Sequence, residues 1–117
     1  MYAAGWFHAR QILAGETPSA RLTDVVEPWF LGPGAGSPGH DGFVTFQVEA
    51  EAAGVRFHSS IQDMPEGPDV ALIAARAPDC PALFEASIAK GCSHIYLEKP
   101  GAPDVAAMQA MVDLAEV

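Results

Sequence analysis

Hydrophobic residues recur along this chain at two different spacings, and the two alternate from segment to segment. Helical spacing predicts four helices, over residues 5–14, 43–53, 79–89 and from residue 103 onward. Short apolar runs between them predict extended segments at residues 21–27, 55–58, 69–75 and 93–97. Turn residues such as Gly15, Pro28, Gly54 and Gly91 stand where one kind of segment gives way to the other. This alternation predicts an α/β fold.

Two of the predicted strands are more apolar than the others. Residues 69–75 form an almost continuous apolar run, which is typical of a parallel strand covered on both faces, and residues 93–97 have the composition of a buried strand. The second run ends in Glu98, Lys99 and Pro100. The helix that follows has its apolar positions at Val105, Met108, Val112 and Ala115. Because ligands bind at the carboxyl ends of strands in open α/β sheets, Glu98 and Lys99 are candidate site residues.

Residues 28–42 interrupt the alternation. These fifteen residues hold five glycines and three prolines, so they are expected to form a loop without regular structure. Trp29, Phe30 and Leu31 stand near its start. They either cover a pocket or pack onto the nearest helix.

Composition narrows the classes of function. The 117 residues suffice for one domain, and half of them are hydrophobic. The formal charge is −9, with every basic residue standing alone, so binding to nucleic acid or to an anionic membrane is not expected. Cys80 and Cys92 match neither a disulfide framework nor a redox pair, and the histidines have no metal-ligand spacing. Without a leader or a long apolar run, a cytoplasmic protein that binds no metal is expected.

Several segments together resemble one enzyme family. They are Gly5-Trp6-Phe7-His8-Ala9, Val25-Val26-Glu27-Pro28, residues 69–74, Glu98-Lys99-Pro100 and residues 108–115, in that order. The chain resembles the N-terminal domain of the Gfo/Idh/MocA oxidoreductases, which include glucose–fructose oxidoreductase and inositol dehydrogenase. The resemblance implies a single Rossmann-like, doubly wound and mostly parallel sheet flanked by helices over residues 1–117. It also implies binding of NAD or NADP and hydride transfer between nicotinamide and a sugar- or cyclitol-like hydroxyl.

The resemblance also assigns candidate site residues. Lys99 is expected to be catalytic, near the nicotinamide. The expected cofactor-binding residues are Gly5, Trp6, Phe7, Glu27, Ala74, Ala75, Arg76, Glu98, Lys99 and Pro100. Glu27 stands 22 residues after Gly5, where it is either a ribose ligand that favours NAD over NADP or a surface acid. Arg76 is either a phosphate ligand or a solvated surface arginine.

The chain also departs from the family pattern. Of the dinucleotide fingerprint G-x-G-x-x-G only Gly5 fits; Tyr2 stands at the second glycine, and the first would precede Met1. We therefore expect the domain to be incomplete at its N-terminus, with a second polypeptide or a homo-oligomer covering the missing central strand. Cys80 stands where the family has a histidine, and the family's catalytic domain lies beyond these residues, so enzyme activity of this chain stays open.

Two alternatives to a dehydrogenase domain have some support in the sequence. One is a non-catalytic interaction module, or a remnant of dehydrogenase ancestry with weak or no cofactor binding. The other is a response-regulator receiver domain, which also carries Lys-Pro at a strand end. A receiver needs a phosphoacceptor aspartate where this chain has Ala74, so this alternative is not expected.

Overall fold

The computed structural model describes residues 4–116. The helices are α1 (Ala4–Leu13), α2 (His40–Ala52), α3 (Cys80–Ala89) and α4 (Val105–Ala115). The strands are β1 (Asp24–Val26), β2 (Arg56–His58), β3 (Val70–Ile73) and β4 (His94–Leu97). The α/β fold predicted from the sequence pattern is confirmed, although the strands are shorter than the apolar runs that predicted them. No helix within these residues combines the length and hydropathy that crossing a membrane requires.

The chain divides into two compact units. The first comprises residues 8–65, and the second comprises residues 66–116 together with the start of α1 at residues 4–7. Each unit contains a two-stranded parallel sheet, β1 beside β2 in the first and β3 beside β4 in the second. The parallel pairing expected from the alternation of helices and strands is therefore found in both units.

The core of the first unit is aromatic. Phe43 and Phe46 on α2 are buried, and both meet Phe57 of β2 edge to face, with ring centroids 5.8 and 6.0 Å apart. Helix α2 begins at His40, so the predicted loop over residues 28–42 ends three residues too late. Asp41 in the first turn favours this earlier start, because an acidic side chain stabilises the N-terminus of a helix.

The second unit has two layers. Alternate residues of β3 and β4 face a core formed with α3 and α4, in which Ile73, Cys80, Phe84, Ala102 and Met111 are buried. The other face of the sheet is open to solvent: Val70 is 55% exposed, Leu72 37% and Tyr96 51%. The expectation that residues 69–75 are covered on both faces, and that residues 93–97 are buried, is therefore wrong. Side chains alternate between the faces of a strand, and only one face of this sheet is packed.

The face of α4 that packs against this core differs from the face predicted from the spacing of its apolar residues. Met111 is buried, whereas Val105 is 85% and Val112 42% exposed. The residues that pack toward the core beside Met111 are Ala107, Met108 and Leu114. A helix that is apolar nearly all round has more than one possible apolar stripe, so packing and not spacing decides which is buried.

Candidate functional site

The structure brings six of the predicted site residues to one edge of a sheet. In the parallel register of the second unit, Ile73 stands beside Leu97, and the Glu98 amide donates a hydrogen bond of 2.9 Å to the Ile73 carbonyl. The segments that leave the two strands therefore start side by side. The six residues are Ala74, Ala75, Arg76, Glu98, Lys99 and Pro100.

The turn after β3 is held by a buried thiol. Cys80 is 0% exposed, and its Sγ lies 3.6 Å from the Ala75 carbonyl oxygen and 3.5 Å from that of Arg76. A thiol is a weak donor, so its main contribution is to fill the space beneath the turn. Cys80 therefore supports the position of Ala75 and Arg76 without reaching the surface.

Arg76 lies at the surface of this turn. Its side chain is 84% exposed, and its Nε donates a hydrogen bond of 3.4 Å to Asp79 Oδ2. An ion pair this exposed contributes little to stability. The guanidinium is therefore a solvated group at the carboxyl edge of the sheet, and its role toward a phosphate stays a prediction.

Lys99 lies on the turn that leaves β4. It is exposed, and within residues 4–116 its ammonium group makes no hydrogen bond or ion pair. The following Lys99–Pro100 peptide is cis. Within the described part of the chain, the Lys99 ammonium group is therefore solvated and serves no structural contact.

The segment after Lys99 is held tightly at both ends. Gly101 is buried with φ +80°, and a Cβ there would lie 2.8 Å from Leu97 Cδ2 and 2.9 Å from Met108 Cε. Asp104 begins α4, since its Oδ1 accepts a hydrogen bond of 2.8 Å from the Ala107 amide. Asp104 is therefore the N-cap residue of α4. The result is a well-defined turn that carries an accessible ammonium group.

Glu27 follows β1 in the first unit and organises the loop after it. Its Oε1 accepts hydrogen bonds from the Trp29 amide at 2.9 Å and the Phe30 amide at 3.4 Å. The Glu27 amide in turn donates to the His58 carbonyl at 2.9 Å. Glu27 is therefore fixed in orientation at the carboxyl end of β1, which neither of its two predicted roles anticipated.

The aromatic residues after Glu27 behave differently from one another. Phe30 stacks on Phe43 of α2, with ring centroids 5.3 Å apart, and also lies 5.8 Å from the ring of His40. This confirms, for Phe30, the prediction that the loop packs onto the nearest helix. Trp29 remains 52% exposed.

A charged cluster that the sequence did not indicate joins β1 to β2. Asp24 Oδ2 lies 2.8 Å from His58 Nε2 and 3.1 Å from Arg56 Nε, and its Oδ1 accepts from Arg56 Nη2 at 3.2 Å. Its side chain is only 6% exposed. Burial by itself raises the pKa of Asp24, but hydrogen bonds from His58, Thr23 and Arg56 outweigh it, and the pKa is lowered. The cluster thus fixes the pairing of β1 with β2, directly before Glu27 in the chain.

The remaining predicted site residues lie in α1. Gly5, Trp6 and Phe7 form its first turn and belong to the second unit; Trp6 is half-buried and Phe7 57% exposed. Tyr2, where the second fingerprint glycine would stand, lies outside the described residues. No group of three or more His, Cys, Asp or Glu side chains between residues 4 and 116 is arranged to hold a metal ion.

Comparison with protein families decides the ancestry of this domain. The model of the Gfo/Idh/MocA family, described as an oxidoreductase family with an NAD-binding Rossmann fold, matches residues 40–117. The chain belongs to this family. The resemblance inferred from Glu98-Lys99-Pro100 is thereby confirmed, and the match includes the whole edge that carries Arg76 and Lys99. Glu27 and α1 precede the matched residues. No curated protein and no solved structure matches the chain.

Proposed function

We propose that this chain is the NAD(P)-binding domain of an enzyme that transfers hydride between nicotinamide and a hydroxyl-bearing carbon of a sugar- or cyclitol-like substrate. The observation that carries the proposal is the edge of the second unit, where parallel strands present Lys99 on a fixed turn. Ligands of open parallel sheets bind at this edge. Membership of an NAD-binding oxidoreductase family supports the same conclusion.

The residues present fit a dinucleotide in their chemistry. The Glu27 carboxylate has hydrogen-bond acceptors for ribose hydroxyls, and the exposed Arg76 guanidinium is a donor suited to phosphate oxygens. The nicotinamide, when bound, supplies the hydride acceptor or donor. The Lys99 ammonium group would donate a hydrogen bond to the reacting oxygen of the substrate and stabilise negative charge that develops there.

We propose that the domain prefers NAD to NADP. Glu27 is held at the carboxyl end of β1, where an acidic side chain binds the adenosine ribose in dinucleotide folds. A carboxylate in that place repels the 2′-phosphate of NADP. The preference follows from the charge of Glu27 and is therefore open to a direct test.

The test is calorimetric titration of the full chain with NADH and, separately, with NADPH. We expect saturable binding of both, with the lower dissociation constant for NADH. Circular dichroism of the same preparation establishes that the protein is folded. A folded chain that binds neither dinucleotide would contradict the proposal.

A second candidate function is a non-catalytic domain that pairs with a further copy of this chain. It is favoured by the open face of the β3–β4 sheet, where Val70, Leu72 and Tyr96 are exposed side by side. Light scattering coupled to size-exclusion chromatography gives the oligomeric state. A dimer that Leu72→Glu converts to a monomer, in a chain without dinucleotide binding, would favour this alternative over the first.

A further inference from the structure

Trp29 is an exposed aromatic residue of the first unit, and hydrogen bonds fix its backbone. It stands two residues after Glu27, and its amide donates a 2.9 Å hydrogen bond to the Glu27 carboxylate. Its carbonyl accepts hydrogen bonds from the amides of Gly32 at 3.1 Å and Gly34 at 2.7 Å. Both backbone groups of Trp29 are thus fixed, so the direction in which its side chain leaves the loop is fixed as well.

One face of the Trp29 indole is covered by a glycine. A Cβ built on Gly34 would overlap the ring atoms Cε2, Nε1 and Cδ2 at nearly equal distances. A point equally close to three consecutive atoms of the five-membered ring lies above the plane of that ring and not beside its edge. The backbone of Gly34, which is buried, therefore supports one face of the indole.

About half of the Trp29 surface is open to solvent. Trp29 is 52% exposed although one face of its ring lies on Gly34. Its neighbour Phe30 turns inward and stacks on Phe43, which ties the loop to α2. The loop thus presents a large flat aromatic surface to solvent at the carboxyl end of β1, from a backbone that is anchored on both sides.

We propose that the indole of Trp29 is the surface on which the adenine ring of the dinucleotide stacks. This inference rests on the dinucleotide binding proposed above and assigns the adenine end of that ligand. Adenine is joined directly to the ribose that Glu27 is proposed to bind, so the base must lie within a few ångströms of Glu27. Trp29 is the exposed aromatic ring that the structure ties to the same carboxylate. A planar base gains both stacking and apolar burial on such a ring.

The test uses ADP-ribose, which carries the adenine and its ribose but no nicotinamide. Titration calorimetry of the full chain measures its dissociation constant, with NADH as a second ligand. Base stacking on an aromatic residue predicts that Trp29→Ala weakens ADP-ribose binding about tenfold, whereas Trp29→Phe, which keeps a flat ring, weakens it by less than about threefold. Val48→Ala is the matched control, because Val48 is a 64% exposed apolar residue of the same unit.

A spectroscopic readout distinguishes stacking from a merely structural role. The chain has two tryptophans, so Trp29→Phe leaves Trp6 as the remaining one. We expect ADP-ribose to change the tryptophan fluorescence of the wild-type chain by clearly more than that of Trp29→Phe, in which any response comes from Trp6. This measurement also decides the matter if Trp29→Ala fails to fold.

The outcomes separate this inference from the function on which it rests. Wild-type binding of NADH and ADP-ribose, combined with unchanged affinity in a folded Trp29→Ala variant or with no Trp29 fluorescence response, would overturn the stacking role and leave the proposed function standing. A folded wild-type chain that binds neither ligand would overturn both. Selective loss of ADP-ribose affinity in Trp29→Ala, with the phenylalanine variant retaining it, would support both.

Discussion

Replacing Asp24 by asparagine tests whether the charged cluster around this buried carboxylate holds the two strands of the first unit together. Asp24→Asn keeps the shape of the side chain but removes its charge. The carboxylate accepts a hydrogen bond from Arg56 Nη2, forms an ion pair with Arg56 Nε at 3.1 Å, and lies within hydrogen-bond distance of His58 Nε2. An asparagine retains one acceptor oxygen and turns an NH₂ group toward donors, so at least one of these contacts becomes donor against donor.

The expected loss of stability follows from the number and kind of these contacts. A hydrogen bond to a charged group contributes about 1.5–3 kcal/mol to stability, and an exposed ion pair less than about 1 kcal/mol. Asp24 and His58 are nearly buried, but the Arg56 side chain is 49% exposed, so the contribution of Arg56 is partly screened. We therefore expect Asp24→Asn to lower the free energy of unfolding by about 2 kcal/mol at pH 7.

The dependence of this loss on pH has a definite sign. The pKa of Asp24 is lowered in the folded chain, because its hydrogen bonds outweigh the opposite effect of burial. A carboxylate with a lowered pKa stabilises the fold above its unfolded pKa of about 3.9, and that stabilisation disappears as the pH falls through the folded value. The difference in the free energy of unfolding between wild type and Asp24→Asn should therefore have its full size at pH 7 and become progressively smaller below about pH 4.

Urea unfolding followed by circular dichroism, at pH 7, 5 and 3, measures this difference. Glu49→Gln serves as the matched control, since Glu49 is an exposed carboxylate on α2 of the same unit and its loss should change stability by less than about 0.5 kcal/mol. A difference near zero at pH 7, or one that persists unchanged at pH 3, would refute the role assigned to the Asp24 carboxylate.

Three further predictions concern the second unit. In a preparation with dehydrogenase activity, Lys99→Ala should lower the turnover about 100-fold but leave the thermal unfolding midpoint unchanged, because Lys99 is exposed. Comparable losses of turnover and of thermal stability would show that Lys99 has a structural role. Gly101→Ala should cost about 2–4 kcal/mol in urea unfolding, against about 1 kcal/mol for Gly91→Ala, since both have positive φ but only Gly101 has close neighbours; similar values would contradict this. Met111→Ala should lower the free energy of unfolding by about 3 kcal/mol and Val105→Ala by less than about 0.5 kcal/mol, because Met111 is buried and Val105 is exposed. The reverse order would show that the other face of α4 packs against the core.

The sequence was sufficient to predict the strands of the second unit but not what covers them. Both faces of β3 are apolar, with Val70 and Leu72 on one and Ala71 and Ile73 on the other. Hydrophobicity distinguishes a strand from a loop, but it carries no information on whether a second layer packs against the strand. For this reason the prediction of the strand is confirmed, whereas the prediction that both of its faces are covered is wrong.

The candidate site likewise has features that the sequence predicts and features that only the structure shows. Glu98, Lys99 and Pro100 were predicted because their order and their place after a strand are local properties of the sequence. The contact between Asp24 and His58 was not predicted, since these residues are 34 positions apart and meet only through the register of β1 and β2. The roles that depend on strand register and side-chain geometry, including the bonds of Glu27 to the loop, therefore required the structure.

Holding the loop and binding a ribose are compatible roles for Glu27, and this decides how it should be tested. Its Oε1 accepts the amides of Trp29 and Phe30, while among the described residues no hydrogen bond reaches Oε2. Alanine would remove both the loop contact and the charge, whereas Glu27→Gln keeps an amide oxygen for the loop and removes only the charge. Repulsion between unit charges about 4 Å apart in water is about 1 kcal/mol, so Glu27→Gln should reduce the preference for NADH over NADPH about fivefold without lowering stability. An unchanged preference would show that Glu27 only organises the loop.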